Sequence, residues 1–234
     1  MFTALLIGLS LMSAPASSPE RALLAEMKVA CGGAAWDRVQ GWHETGRAEL
    51  PGGETIPYEA WHDMRTLRTT YAQQAGPTMI SLSGYDGTQL WRAAPDGQVE
   101  RTSDPAVLRR KVRDFYVSSF AFFLPERFPA TFALLGTRSH EGIDYDVLQV
   151  TPANADSVEL WVNRQTHHIG RIVAPGETAE LSDYREFDGL CTATTGRQGD
   201  GDPAHTIVLH VEQVEAGPIP ADRFTPPEGP SPHP

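Results

Sequence analysis

The chain has 234 residues, with 19 Lys+Arg against 30 Asp+Glu and a formal net charge of −11 at pH 7. That acidic balance argues against non-specific nucleic-acid binding, which needs a cationic surface, and against docking on anionic lipid heads. Hydrophobic residues at 40% suffice for a core, and 21 Gly with 19 Pro fall short of a disordered composition, so one large β-rich domain fits the length.

Residues 1–12, MFTALLIGLSLM, form an uncharged apolar run followed by Ala14-x-Ala16, the small-residue pattern a signal peptidase accepts. The run is too short to cross a hydrocarbon core of ~30 Å, which needs about 20 residues. A signal peptide over 1–16 is expected, with a periplasmic or secreted mature chain and no transmembrane segment. A buried N-terminal helix is the alternative. The two cysteines, Cys31 and Cys191, permit one disulfide in an oxidising compartment. It would close a loop of about 160 residues, worth ~5 kcal/mol by chain entropy. Two separately buried thiols are the alternative.

Ser18-Pro19-Glu20 supplies a cap, a proline at the first helical position and an acidic first turn. Ala22, Leu23, Leu24, Met27, Val29 and Ala30 then share a broad face, and Gly32-Gly33 ends the helix. A short turn is expected over 34–39. Strands are expected over 42–50, 58–63 and 66–72, then 79–85 and 89–94 around Asp86-Gly87, and 99–102 after Asp96-Gly97. Ser103-Asp104-Pro105 opens a second helix with a 3.6-residue rhythm from Val107 to Phe123, stopped by Leu124-Pro125. Its Arg109, Arg110, Lys111 and Arg113 read as a solvated face. Further strands are expected over 131–139, 144–151, 158–163, 169–173, 181–187 and 205–215, and 228–234 as a disordered Pro-rich tail.

Ten or eleven short strands with so few helices predict an α+β protein: one strongly curved antiparallel sheet, an open half-barrel wrapped around a few helices. Two helices cannot cover so wide a sheet face, and an incompletely filled hollow is an apolar groove. The second helix carries Phe115, Tyr116, Phe120, Phe122 and Phe123. These rings either plug the sheet or line a lipid-sized pocket. The candidate ligand-lining residues are Phe115, Phe120 and Phe123, with Trp61 and Trp91 from the strands.

Gly-Gly-Ala-Ala-Trp36-Asp37, Gly84-Tyr85-Asp86-Gly87-x-x-x-Trp91, the 158–166 hairpin VELWVNRQT, the 182–190 strand SDYREFDGL and the ending Asp222-Arg223-Phe224-Thr225-Pro226-Pro227 together resemble a recurring proteobacterial periplasmic domain. That domain is similar to the lipoprotein-localisation-factor (LolA/LppX-like) superfamily. The resemblance spans about residues 20–227 and implies a half-barrel with a helical lid that holds acyl chains. Asn163 stands where the family hairpin has Asp, Thr166-His167-His168 replaces Thr-Gly-Leu, and Cys191-Thr192 replaces a proline. Some relatives carry the domain ahead of a retropepsin-like aspartic protease. That protease needs a D-T-G or D-S-G loop, which is absent from this sequence, so the protease domain is expected to be missing.

No G-x-S-x-G elbow, H-E-x-x-H or P-loop is present, so no enzyme activity is expected. No cofactor is expected either. His43 and His62 could meet across neighbouring strands but lack a third metal ligand, and Asp144 with Asp146 reads as a polar strand face. Asp200-Gly201-Asp202 reads as a flexible turn, with weak calcium binding through its carboxylate oxygens as the alternative. The expected partner is an acyl chain, lipid or acylated protein in the groove. The alternatives are an envelope protein docked on a module whose groove is filled, or an orphan accessory domain of a secreted aspartic peptidase.

Overall fold

In the computed structural model of the protein, residues 18–75 and 78–227 are described, so the expected signal peptide and Pro-rich tail lie outside the described residues. Helix α1 (Pro19–Ala30) begins at the proline and buries Leu23, Leu24 and Met27, while Val29 points to solvent. It stops because Gly32 turns left-handed at φ +113° and hands the chain to a 3-10 turn, Gly33–Arg38, whose Trp36 is fully buried. Gly32 also lies against the backbone of the 188–189 turn. A Cβ there would sit 2.2 Å from the Gly189 carbonyl oxygen.

Six strands follow: β1 (Gly41–Glu49), β2 (Thr55–Asp63), β3 (Thr69–Ala75), β4 (Thr78–Tyr85), β5 (Leu90–Ala93) and β6 (Val99–Thr102). Both Asp-Gly turns form as the residue types dictate. Asp86 Oδ1 accepts from the Thr88 and Gln89 amides at 2.8 and 2.9 Å, and Gly87 and Gly97 take positive φ. Helix α2 (Pro105–Ser118) is capped by Asp104, whose Oδ1 accepts from the Ala106 and Val107 amides, both at 2.9 Å. The expected helix runs further than the real one. Phe120 adopts φ +51°, breaks the helix after Ser119 and starts a 3-10 turn, Ala121–Phe123.

Seven strands complete the sheet: β7 (Ala130–His140), β8 (Ile143–Pro152), β9 (Val158–Asn163), β10 (Ile169–Ala174), β11 (Glu177–Phe187), β12 (Leu190–Gly199) and β13 (Ile207–Ala216). Strand β12 is absent from the expectations above, because Thr, Ala, Gly and Arg over 192–197 give no apolar alternation. Its inward positions are filled by buried Thr192 and Thr194 instead.

All thirteen strands form one antiparallel sheet in the order β6-β5-β4-β3-β2-β1-β13-β12-β11-β10-β9-β8-β7. The sheet is open and curved, as expected for a half-barrel, with β6 and β7 at its two edges. The β1–β13 pair joins two meanders at the centre. Alpha helices and 3-10 residues 33–38 and 121–123 cover the concave face. There Trp36 stacks on Trp42 at 5.6 Å and both meet Phe120, while Phe122 and Phe123 pack edge-on at 4.6 Å. These rings rest on Leu148, Val150, Leu160 and Val162 of β8 and β9.

Gly32→Ala should destabilise the fold by about 2 kcal/mol or more, since it adds left-handed strain to a backbone clash. Urea unfolding monitored by tryptophan fluorescence measures this; an unchanged midpoint would show that the 32/189 approach is not tight in solution.

Candidate functional site

Strand pairing sorts each side chain onto one face. Across β1 to β5 the register puts Trp42, His62, Thr69, Tyr85 and Leu90 on the concave face, with Ser83, Tyr71 and Arg92 beside them. Their sequence neighbours His43, Trp61, Thr70, Gly84 and Trp91 face the convex side. A Cβ on Gly84 would meet the Trp91 ring at 2.7 Å, which fixes where that indole lies.

On the concave side, beyond the filled centre, a cleft of about 670 Å³ remains between β3–β6 and α2. Tyr71, Leu90 and Phe115 give it apolar walls, Thr69, Ser83 and Thr102 a few hydroxyls, and Arg92, Lys111 and Glu100 a charged mouth. Phe115 is held against the sheet by stacking on Tyr85 at 5.7 Å. The volume lies within the range of small-molecule sites.

The five expected lining residues part company. Phe115 lines the cleft. Trp91 contributes to its floor from the strand, with its ring on the far face. Phe120 and Phe123 belong to the core with Trp36. Trp61 lies on the convex face, stacked on His43 at 5.0 Å and covered by the chain's C-terminal segment. In that segment the 3-10 turn Ala221–Phe224 lays Phe224 over Trp61 and Ala72, and Arg223 over the Trp61 ring at 5.0 Å. The Arg223 carbonyl accepts from Thr70 Oγ1 at 2.7 Å.

Tyr71, Leu90 and Arg92 escaped the sequence reading. The signal that could have found them is alternation: on a strand whose turn fixes the register, Leu90 and Arg92 must share a face opposite Trp91.

Behind Tyr71 the concave wall is polar. Tyr71 stacks on Tyr58 at 5.3 Å, and the Tyr58 hydroxyl and Trp42 Nε1 each donate to the Glu44 carboxylate at 3.1 Å. Burial raises the Glu44 carboxyl above its ordinary value despite these two bonds. Nearer the helix, His62 Nδ1 lies 3.0 Å from Ser119 Oγ, which ties the end of α2 to the sheet. Ser119 is buried, and among the described residues His62 has no carboxylate bonded to it.

The other sequence candidates are accounted for locally. His43 and His62 do not meet, because Trp42, not His43, pairs with His62. Instead His43 lies 3.2 Å from Glu59. His168 stacks on Tyr184 at 4.0 Å, and His167 faces Glu26 at 3.4 Å. Asp146 accepts from Thr137 and faces Arg164, while Asp144 accepts from Ser139. The α2 basic cluster is not wholly solvated: Arg113 is buried and paired with Asp114 at 2.6 Å and with Glu177 at 3.6 Å. Among the described residues no group of three or more His, Cys, Asp or Glu side chains could hold a metal. No described helix is long and apolar enough to cross a membrane.

No family model and no curated protein matches this chain. Solved structures do. A LolA superfamily protein from Nitrosomonas europaea superposes with a TM-score of 0.60 at 16% identity, covering 89% of this chain and 98% of that one. The fold is LolA-like. A domain from Vibrio parahaemolyticus assigned to outer membrane lipoprotein sorting gives 0.59 at 14% identity, over 86% and 94% of the two chains. A DUF1329 family protein from Desulfovibrio piger gives 0.59 at 14%, over 89% and 98%. At these identities the likeness carries the LolA-like architecture alone.

The buried imidazole gives this LolA-like sheet a measurable acid sensitivity. Burial lowers His62 to about 4, against about 6.5 in an unfolded chain. As pH falls through that window the unfolded chain binds a proton that the folded one refuses, so stability drops. The ring contributes no loss above about pH 6.5 and a loss approaching ~3 kcal/mol near pH 4. His62→Gln should therefore flatten the decline in urea midpoint between pH 7 and 4.5. A variant that keeps the wild-type slope would assign the decline to other groups.

Proposed function

We propose that the protein is a non-catalytic periplasmic binder of an acyl-chain amphiphile, a lipid or the lipid tail of an acylated protein, taken up in the concave cleft beside α2. The observation that carries this is the cleft itself: apolar walls from Tyr71, Leu90 and Phe115 with Arg92 and Lys111 at the mouth. An apolar tail fits the walls, and a carboxylate or phosphate head fits Arg92 and Lys111, cations of a mouth that also carries Glu100. Burying ten methylenes at ~0.8 kcal/mol each gives roughly 8 kcal/mol, the equivalent of micromolar affinity before ordering costs, and the further methylenes of a long-chain acid offset those costs. The LolA-like fold and a structural neighbour assigned to lipoprotein sorting support the same reading.

A second reading, an envelope protein-interaction module, has its own support. The centre of the hollow is plugged by Trp36, Trp42, Phe120, Phe122 and Phe123, and edge strand β7 with its neighbour β8 exposes Leu134, Leu135 and Ile143. β-Strand pairing along that edge would suit a peptide partner.

A fluorescent long-chain fatty acid, titrated into delipidated protein, separates the two. It should bind with micromolar affinity. Ser83→Trp or Leu90→Trp, which fill the cleft, should weaken binding at least about tenfold with unchanged thermal unfolding. Arg92→Glu should weaken a fatty acid more than its uncharged alcohol. A protein that carries no lipid after denaturing extraction and ignores the probe leaves the interaction reading standing.

A further inference from the structure

The two cysteines lie far apart in sequence and together in space. Cys31 caps the C-terminal end of α1, and Cys191 is the second residue of β12, just past the 188–189 turn. The Cys191 amide donates to the Cys31 carbonyl at 2.9 Å. Covalent geometry on either side of that contact keeps the two Cα atoms within about 7 Å, the upper reach of a disulfide. The site is held from several sides. Trp36 Nε1 also donates to the Cys31 carbonyl, at 2.7 Å, and Gly32 approaches Gly189 closely enough to exclude any side chain. His168, stacked on Tyr184, has its Nε2 4.0 Å from Cys191 Sγ and 3.4 Å from the Ala30 carbonyl. Both thiols are unbonded in this structure, Cys31 buried and Cys191 half-buried.

We propose that Cys31 and Cys191 are an oxidisable pair whose disulfide latches helix α1 to the β11–β12 hairpin. The oxidant is a low-molecular-weight or protein disulfide. The half-buried Cys191 sulfur attacks it, its proton goes to solvent, and one half of the oxidant leaves as a thiol. The Cys31 sulfur then displaces the second half from Cys191. Two S–H bonds and the oxidant's S–S bond are lost; one protein S–S bond and two oxidant thiols are gained. Burial and the neighbouring sulfur raise the Cys31 thiol to about 12, and burial with Glu186 raises Cys191. Little thiolate is present on either sulfur at neutral pH, so both exchange steps are slow, and it is the proximity of the two residues that favours the link.

The bond would pin α1, with Leu23, Leu24 and Met27, over the filled half of the sheet. It leaves the β3–β6 cleft untouched, so its test is separate from that of lipid binding.

Full-length protein, reduced and then incubated with oxidised glutathione, is digested without reduction and examined by mass spectrometry. The expected product is a linked peptide pair containing Cys31 and Cys191, two hydrogens lighter than the sum of the free peptides. The oxidised monomer should melt roughly 10 °C above the reduced one. Cys191→Ala and Cys31→Ser should melt near the reduced wild type and show no gain on oxidation; two replacements keep the comparison valid if one perturbs packing. Persistent free thiols, glutathione adducts without a cross-link, disulfide-linked dimers, or a linked form no more stable than the reduced one would each overturn the latch.

Discussion

β6 and β7 are the two edges of the sheet, and the residues between them cross from one to the other over its concave face. That crossing decides what the hollow can hold. Helix α2 leaves the β6 edge, Phe120 breaks it in the left-handed region, and the 3-10 turn that follows drives Phe122 and Phe123 into the centre beside Trp36 and Trp42. Aromatic packing of this kind stabilises the fold by burying large apolar areas. The space left over lies to one side, where α2 stands above β3–β6 with Lys111 and Phe115 facing the cleft. The cleft is thus a remainder set by topology and by the position of one strained residue.

The opposite face shows why charge and burial have to be weighed together. Asp63 is almost fully buried, which alone would raise its carboxyl. Hydrogen bonds from Arg68, Thr66 and Arg65 overcome that and hold it below the ordinary range. Arg68 in turn lies over the Phe224 ring at 4.9 Å, and Arg223 over Trp61. Cations stacked on rings, with their heads toward water, let a short C-terminal segment seal a strip of convex sheet that would otherwise expose Trp61 and Ala72.

Much of the fold was legible in the residues. Ser18-Pro19, Asp104-Pro105 and the two Asp-Gly turns each act through a local mechanism, and the elements they bound are where local chemistry puts them. Strand β12 was not legible, because its inward residues are threonines whose burial depends on neighbours distant in sequence. The end of α2 was not legible either, since the apolar rhythm continues through Phe120 while the backbone does not. For the site, Phe115 could be picked out from helical spacing. Trp61 could not be assigned a face: β2 is buried on both sides from Trp61 to Asp63, so the alternation that tells inside from outside is erased there. Large aromatic size proved a weaker guide to the cleft than position within the strand.

The seam between β1 and β13 also sets an order of events during folding. Each meander, β1–β6 and β7–β13, is built from hairpins whose partners are close in sequence and can zip early. The seam joins strands from opposite ends of the described chain, so its loop-closure cost falls due only when both halves exist. Until then β1 and β13 are bare edges, open to pairing with another copy. At the moment of assembly the protein is therefore most vulnerable at its middle, and a bulge between Thr45 and Gly46 interrupts that ladder's otherwise regular register.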